Sequence, residues 1–399
     1  MTQTPMNQTP TAQPRTALTT GPTAVTARAL GPDLARGLLL LFIALANTHG
    51  FLHPPGVSDI RGTPIASALP DRIAAFLETT LVDGRSYTMF AALFGYGMVQ
   101  IMRRQETNGV EWRGTRKLLR RRGLWMVVLG VLHAVLLYYG DILAAYGLLA
   151  LVLVPAVRYG NKRLLISAGV WVIIGAALYA YFSIPTDAAT VEAAYPWSVE
   201  HNPLEAMLDR AVVIVFTAPL LAVTAAGAFL FGIWAARRRL FEDPAAHRQL
   251  LRRMAFIGIP VSVLGGIPLA LYTSGILHGT GEDVVPVAFL HSVAGFAGGP
   301  AYAALIALWT LRIHKQGRLI TALQATGQRS LTCYLLQSVV WAIVFFPYLL
   351  DLGHHMHQWQ TAFLALGTWG LTVVLADQLG RHNLRGPFEV LLRKLTYRG

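Results

Sequence analysis

The feature that most constrains this chain is a series of ten long apolar segments separated by short, mostly charged connections. A helix of about 20 apolar residues is long enough to cross the hydrocarbon core of a bilayer. The segments lie near residues 34–52, 80–102, 123–139, 142–157, 164–183, 211–235, 254–275, 286–311, 328–347 and 360–380. The sequence therefore predicts an all-α, polytopic integral membrane protein with about ten transmembrane helices.

The composition excludes the main alternatives. The chain is 54% hydrophobic and 13% charged, whereas a soluble domain is about 25% charged. A single cysteine, Cys333, excludes a disulfide scaffold. The net charge of +13 comes from short basic bursts between apolar segments, which is not the basic face of a nucleic-acid-binding domain. The expected partners are the lipid bilayer and a small-molecule substrate, not nucleic acid, and the oligomeric state stays open.

The basic residues also predict the orientation of the chain. If the ten segments alternate from a cytoplasmic N-terminus, 29 of the 33 Lys and Arg residues fall on the cytoplasmic side. Cytoplasmic loops are enriched in Lys and Arg because these residues resist translocation. We therefore expect both termini to be cytoplasmic and the protein to be a multi-pass protein of the cell membrane, that is, the plasma or inner membrane.

Two regions flank or interrupt the apolar segments. Residues 1–30 are rich in Thr, Pro, Gln and Ala and contain no acidic residue, which predicts a disordered tail before a single transmembrane domain over residues 31–399. The larger outer loops, 53–79 and 184–210, are expected to form short caps over the outer face. Only Gly140-Asp141 separates the third and fourth segments, which predicts a tight helical hairpin.

Polar residues inside the apolar segments mark candidate sites, because each is costly in a bilayer. The candidates are Asn47, His49, Arg85, His133, Asp141, His291 and Gln337. All but Gln337 lie at a similar depth near the outer face, which favours a water-filled cavity open to the outside. Two structural alternatives remain: His133 as a partner in a helix–helix hydrogen bond, and Arg85 as a cation that reaches the interface or pairs with Asp83 or Asp141.

Other chemistry has little support in the sequence. The chain contains no P-loop, no CxxC pair, no HExxH and no Gly-x-Ser-x-Gly elbow. His354, His355 and His357 cluster in an outer loop, which favours a polar loop over a metal site. No metal is therefore predicted. The inner halves of the segments are mostly apolar.

Five stretches resemble the YeiB-like membrane protein family, catalogued as domain of unknown function four-one-eight. They include Tyr139-Gly140-Asp141, which follows the histidine of the hairpin, and Gly386-Pro387-Phe388-Glu389 near the C-terminus. The stretches cover residues 31–47, 87–97, 121–143, 326–338 and 386–397. The resemblance implies a single helical membrane domain over most of the chain.

The resemblance also implies a distant similarity to membrane-embedded acyltransferases, which move acyl groups from a cytoplasmic donor to an acceptor across the membrane. Those proteins use a histidine near the outer end of an early helix. His49 is the nearest match in this sequence.

The first hypothesis for the function is therefore an acyltransferase acting on an acceptor at the outer face. His49, the preferred residue, or His133 is the expected general base, and Asp141 is expected to orient it. Asn47 or Arg85 is expected to stabilise the oxyanion, and His291 and Gln337 to contact substrate. The cofactor is left open, with acyl-CoA as a possible donor. Its phosphates are expected at a cytoplasmic basic run made of Arg113, Arg116, Lys117, Arg120, Arg121 and Arg122.

The alternatives are a small-molecule carrier or exporter, or a membrane protein without enzymatic activity. A carrier is expected to contain broken helices near the midplane. Gly258-Ile-Pro260 and Gly265-Gly266-Ile-Pro268 in the seventh segment are the candidate breaks.

Overall fold

The computed structural model describes residues 30–52, 59–60, 63–66, 68–185, 187, 196–279 and 281–397. The predicted disordered tail lies outside the described residues, apart from Leu30. Thirteen α-helices occur in the described part of the chain: α1 Leu30–Thr48, α2 Leu69–Leu81, α3 Ser86–Thr107, α4 Trp112–Leu136, α5 Ile142–Leu153, α6 Asn161–Tyr181, α7 Pro203–Arg237, α8 Arg248–Thr273, α9 Gly281–Thr310, α10 Arg318–Gln328, α11 Ser330–Phe345, α12 Gln358–Arg381 and α13 Pro387–Tyr397. One short antiparallel pair joins β1, Asp59–Ile60, to β2, Thr63–Pro64.

The fold is a helical bundle, as predicted. Among the described residues, six helices are long and apolar enough to cross a membrane: α1 with its following turn, α6, α7, α8, α9 and α12. Helices α5 and α11 are apolar but shorter. Each of the ten predicted segments coincides with a described helix, and the protein is a multi-pass membrane protein. The count of ten and the orientation stay predictions.

Helix α3 lies inside the bundle, where it packs against α1, α7 and α9. Glycines let α3 and α7 approach closely, because a Cβ on Gly232 would overlap the carbonyl oxygen of Ala92 and one on Gly95 that of Phe229. Since its neighbours cover it, α3 can carry polar residues that a lipid-facing helix does not tolerate.

Two breaks between helices lie near the starts of predicted segments. The predicted loop 53–79 contains the start of α2, and the predicted second span changes direction between Leu81 and Ser86, where Gly84 has a φ of 75°. A left-handed φ suits glycine, which has no Cβ to clash. The predicted ninth span, 328–347, coincides with α11, and the break at Arg329 separates the start of this span from α10, which lies in the predicted cytoplasmic connection.

The prediction of helix breaks in the seventh segment is wrong. Helix α8 continues through both Pro260 and Pro268. A proline inside a membrane helix is tolerated where neighbouring groups satisfy the freed backbone carbonyl.

The two ends of the bundle differ in charge. The end that carries residues 103–122 and 236–253 is called the basic end; there, Arg103 pairs with Glu242 at 3.3 Å. The opposite end, with residues 69–85 and 346–358, is called the acidic end; there, His357 pairs with Asp71 at 2.9 Å. In the predicted orientation the basic end is cytoplasmic.

Candidate functional site

The helical hairpin α4–α5 holds a buried histidine–carboxylate pair. Nδ1 of His133 donates to Oδ2 of Asp141 at 2.7 Å. Asp141 is the N-cap of α5, and its Oδ1 accepts a hydrogen bond from the backbone N–H of Ala144 at 2.6 Å. Both side chains are almost fully buried, with residue exposures of 4% and 0%. The other ring nitrogen of His133, Nε2, is buried without a hydrogen-bond partner among the described residues.

A glycine sets the distance between the two helices of the hairpin. A Cβ on Gly130 would overlap the backbone nitrogen of Ala144 and would lie 2.5 Å from Oδ1 of Asp141. Position 130 therefore has to be glycine for α5 to begin beside His133, one turn further along α4.

A cavity of about 610 Å³ extends into the bundle from the basic end. Its lining follows α3 from Arg104 to Phe90, a length of about 21 Å at 1.5 Å per residue. The lining is charged near Arg104 and becomes apolar and aromatic toward Phe90, Leu93 and Phe94. The cavity therefore suits an amphiphilic ligand with a polar head at the basic end.

The charges of the cavity are mostly positive. Among the described residues, three carboxylates line it, Asp33, Glu242 and Glu389. The arginines outnumber them; they are Arg36, Arg103, Arg104, Arg122, Arg239, Arg329, Arg385 and Arg393. Nη1 of Arg104 is buried and has no hydrogen-bond partner in the part of the chain that the structure describes. A buried guanidinium nitrogen without an acceptor favours an anionic ligand.

The deep end of the cavity reaches the histidine–carboxylate pair through one tyrosine. Tyr334 and Ile142 line the cavity. The hydroxyl of Tyr334 donates to Oδ2 of Asp141 at 3.3 Å, and its ring centroid lies 5.0 Å from that of His133. The pair is therefore separated from the cavity by a single side chain.

A second histidine–carboxylate pair lies at the acidic end. Nδ1 of His49 donates to Oε1 of Glu78 at 2.5 Å, and Nε2 of Gln358 donates to Oε2 of the same carboxylate at 3.1 Å. The turn that follows α1 and the helices α2 and α12 therefore meet at Glu78. The sequence expectation that Asp141 orients either histidine holds geometrically for His133 only, because Glu78 is the partner of His49.

The break between α2 and α3 is held by a third cluster. Arg85 is fully buried, and its Nε donates to Oγ of Ser262 at 2.8 Å while its Nη2 donates to the Ser262 carbonyl. Its Nη1 donates to the Asp83 carbonyl at 2.6 Å and lies 3.1 Å from Nε2 of His291. His291 also lies 3.3 Å from Oδ2 of Asp83. Since every guanidinium nitrogen of Arg85 has a protein partner, we assign it to holding the break.

The remaining predicted residues lie apart from these clusters. Asn47 is half-buried on α1. Gln337 is buried on α11, and its Nε2 donates to the carbonyl of Leu40 at 3.3 Å, which ties α11 to α1. None of the seven predicted residues lines the cavity at the basic end. The expectation of a single cavity that is shared by these residues and open to the outside stays a prediction.

Sequence reasoning missed most of the arginines that line the cavity. Of the predicted basic run, only Arg122 belongs to the described lining, because Arg113, Arg116 and Arg120 are exposed on α4. The expectation of mostly apolar inner halves stays a prediction, because Asp33, Arg36 and Arg329, which line this cavity, lie at the cytoplasmic ends of the predicted segments. The motifs that resemble the YeiB-like family already contain Arg36, Arg329 and Glu389, and this was the available signal. Among the described residues no group of three or more His, Cys, Asp or Glu is placed to hold a metal ion.

Comparison with known proteins identifies the relatives of this chain. Residues 235–399 match the family described as protein of unknown function (DUF418). The uncharacterized protein YxaH of Bacillus subtilis is 25% identical over 92% of this chain and 93% of the relative. The uncharacterized protein YeiB of Escherichia coli is 27% identical over 92% of this chain and 95% of the relative.

No solved structure matches the chain. The matches to YxaH and YeiB extend over most of both proteins, and the family match covers the C-terminal region that contains α8 to α13. They confirm the resemblance found in the motifs: over most of its length the chain is similar to YeiB and YxaH, and its residues 235–399 match the DUF418 family.

Proposed function

We propose that this protein is a membrane-embedded acyltransferase of the cell membrane, which takes a phosphate-bearing acyl donor such as acyl-CoA into the cavity at the basic end. The observation that carries the proposal is the buried His133–Asp141 pair beside the deep end of an arginine-lined cavity. The acceptor is a small molecule with a hydroxyl or amine group, and it enters the site from the acidic end.

The cavity supports the donor class by its charge and its polarity gradient. Phosphates carry negative charge that arginines bind through paired N–H donors. The arginines cluster toward the basic end, and the aromatic and aliphatic side chains lie deeper. A donor with phosphates at one end and an acyl group at the other matches this gradient.

The hairpin pair supports the chemistry. Asp141 accepts from Nδ1 of His133, which leaves Nε2 to take a proton. This is the arrangement in which a carboxylate fixes the tautomer of a catalytic histidine. As the acceptor heteroatom bonds to the acyl carbon, its proton passes to Nε2; the bond from the acyl carbon to the donor sulfur breaks, and the proton then passes to the departing thiolate.

The first test measures donor binding. Purified protein in detergent is expected to be stabilised against heat by acyl-CoA, since a ligand that binds only the native state raises the unfolding temperature. Arg104→Gln is expected to weaken acyl-CoA binding by about tenfold or more, the effect of one lost charge-assisted hydrogen bond. The matched control is Arg116→Gln, because Arg116 is exposed and lies outside the described cavity lining.

Two outcomes contradict the proposal. If no acyl-CoA stabilises the wild-type protein, the cavity does not take this donor. If Arg116→Gln weakens binding as much as Arg104→Gln, the effect comes from the general positive charge of the basic end and not from the cavity.

The second candidate function is a carrier, the alternative that the sequence leaves open. Discontinuous helices at the midplane are typical of transporter binding sites. The breaks at residues 82–85 and at Arg329 lie toward the acidic and the basic end, respectively, and they differ from the breaks that the sequence predicts in α8. Vesicles that contain the protein distinguish the candidates, because a carrier moves an unmodified substrate while an acyltransferase releases free CoA.

A further inference from the structure

The C-terminal helix α13 forms one wall of the basic-end cavity. Leu392, Arg393 and Tyr397 of this helix line the cavity, together with Arg385 just before it. Helix α13 is short, follows the last long helix, and packs against α4 and α11. Its removal would therefore open the cavity and withdraw two of the lining arginines.

The carboxylate of Glu389 fixes the start of α13 to a neighbouring helix. Glu389 caps the start of α11, where its Oε1 accepts from the backbone nitrogens of Leu331 at 2.8 Å and Thr332 at 3.1 Å. Its Oε2 accepts from the hydroxyl of Thr332 at 2.5 Å. A helix N-terminus favours a carboxylate, because its first N–H groups have no partner inside the helix.

The connection into α13 is built around the same contact. The hydroxyl oxygen of Thr332 also accepts from the backbone nitrogen of Phe388 at 3.2 Å. A Cβ on Gly386 would overlap both the Glu389 carboxylate and the Thr332 hydroxyl. Nε of Arg329 donates to the carbonyl of Leu384 at 3.1 Å. The segment Gly386-Pro387-Phe388-Glu389 thus fits onto the break between α10 and α11.

We propose that α13 is a lid that closes over a phosphate-bearing ligand in the basic-end cavity, with Glu389 as its latch. The inference rests on the proposed anionic ligand, but not on acyl transfer. When the lid is closed, Arg385 and Arg393 complete the cationic lining; when Glu389 leaves the N-terminus of α11, both arginines move away and the ligand is free to leave. Ligand binding and lid closure therefore stabilise each other.

Limited trypsin digestion of the full-length protein in detergent tests the lid. Lys394 is exposed on α13, and cleavage after it requires the helix to open locally. Glu389→Gln and Gly386→Ala are expected to increase the rate of this cleavage about tenfold, the effect of losing charge-assisted hydrogen bonds. The matched control is Gly370→Ala, because a Cβ at Gly370 meets no atom within 4 Å.

The probes are CoA and inorganic pyrophosphate. Either probe is expected to slow cleavage after Lys394 in the wild-type protein, and to do so less in Glu389→Gln. Thr332→Val, which loses the hydroxyl but keeps Glu389, serves as a second latch variant if Glu389→Gln does not fold. Thermal unfolding shows which variants are folded.

The possible results separate the lid from the acyltransferase. Equal cleavage of the wild-type protein and of the folded latch variants would overturn the latch. Unchanged cleavage of the wild-type protein with both probes would overturn the lid. Protection by pyrophosphate without stabilisation by any acyl-CoA would keep the lid and remove the proposed acyl donor.

Discussion

Two of the histidine–carboxylate pairs in this protein, His133–Asp141 and His49–Glu78, have the same chemistry and different surroundings. His133 and Asp141 are eight residues apart in one hairpin, while His49 and Glu78 are 29 residues apart and join α1 to α2. The side chains of the hairpin pair are 2% and 0% exposed, against 12% and 8% for the second pair. Both pairs lie toward the acidic end, where the hydroxyl of Tyr139 in the hairpin donates to the carbonyl of Gly50, next to His49. Only the hairpin pair lies beside the deep end of the basic-end cavity.

The difference shows why geometry and not residue type assigns a catalytic role. Both histidines use Nδ1 for the carboxylate. Of the two histidines, only His133 has a described contact with a residue that lines the cavity, namely Tyr334. The carboxylate of Glu78 is shared with Gln358, which ties α12 to α1 and α2. The hairpin pair is therefore the better candidate for proton transfer, and the second pair is the better candidate for holding helices together.

The largest expected effect concerns the orientation of the bundle, which decides the side of the membrane that each of its ends faces. Reporter fusions after Arg104, Arg163 and Arg239 are expected to report the cytoplasm, and a fusion at Pro196 the outside, because the Lys and Arg bias sets orientation. This result would place the cavity on the cytoplasmic side and the His49–Glu78 pair at the outer face. A cytoplasmic signal at Pro196 would reverse or remove that assignment.

The next largest expected effect is a difference in turnover between variants of the two histidines. His133→Ala is expected to reduce acyl transfer by about 10²–10⁴-fold, the usual contribution of a general base. His49→Ala is expected to keep most of the activity, and His382→Ala, at an exposed histidine, all of it. The measurement is release of CoA from acyl-CoA at saturating acceptor. If His49→Ala alone abolishes turnover in a folded protein, the roles are reversed and the residue preferred from the sequence is the base.

A smaller effect tests the geometry of the hairpin. Gly130→Ala is expected to lower the free energy of unfolding by about 1–3 kcal/mol, because the added methyl group forces α4 away from α5. Gly169→Ala is the control, since a Cβ there meets no atom within 4 Å and alanine favours the helix. Chemical denaturation in detergent compares them. A Gly130→Ala protein as stable as the control would mean that the two helices are not in close contact.

The smallest expected effect concerns the second pair. Glu78→Gln is expected to lower the free energy of unfolding by about 1 kcal/mol, since the amide keeps an acceptor for His49 but loses the charge. Turnover is expected to change little. Glu106→Gln, at an exposed carboxylate of the basic end, is the control. A large loss of turnover without a loss of stability would move the His49–Glu78 pair from a structural to a chemical role.

Much of the helical layout was predictable because it depends on local properties of the chain. Apolar length identifies a helix that can cross a membrane, and each of the ten predicted segments coincides with a described helix. The proximity of His133 and Asp141 was also predictable, since Gly140-Asp141 leaves almost no loop between their helices. The proximity of such a pair depends on short-range geometry, which can be inferred from a single sequence.

The contacts that sequence reasoning missed are long-range. Glu78 lies in a segment that the sequence predicts to be a loop. In the structure this segment contains the amphipathic helix α2, which has Pro70 and Asp71 in its first turn. The cavity draws its arginines from α1, α3, α4, α13 and the connections after α7, α10 and α12. The residue pattern of one segment does not indicate which distant arginine will face that segment in the folded protein.

By itself, the sequence determined that this chain lies in a membrane as a bundle of apolar helices, because in a bilayer only such helices satisfy their own backbone hydrogen bonds. It also determined the charge difference between the two ends. Only the tertiary structure decided which carboxylate each histidine meets, where the helices break, and that the arginines enclose a cavity beneath α13. The physical reason is that these features depend on packing between residues up to several hundred positions apart, and that packing is specified jointly by all the helices.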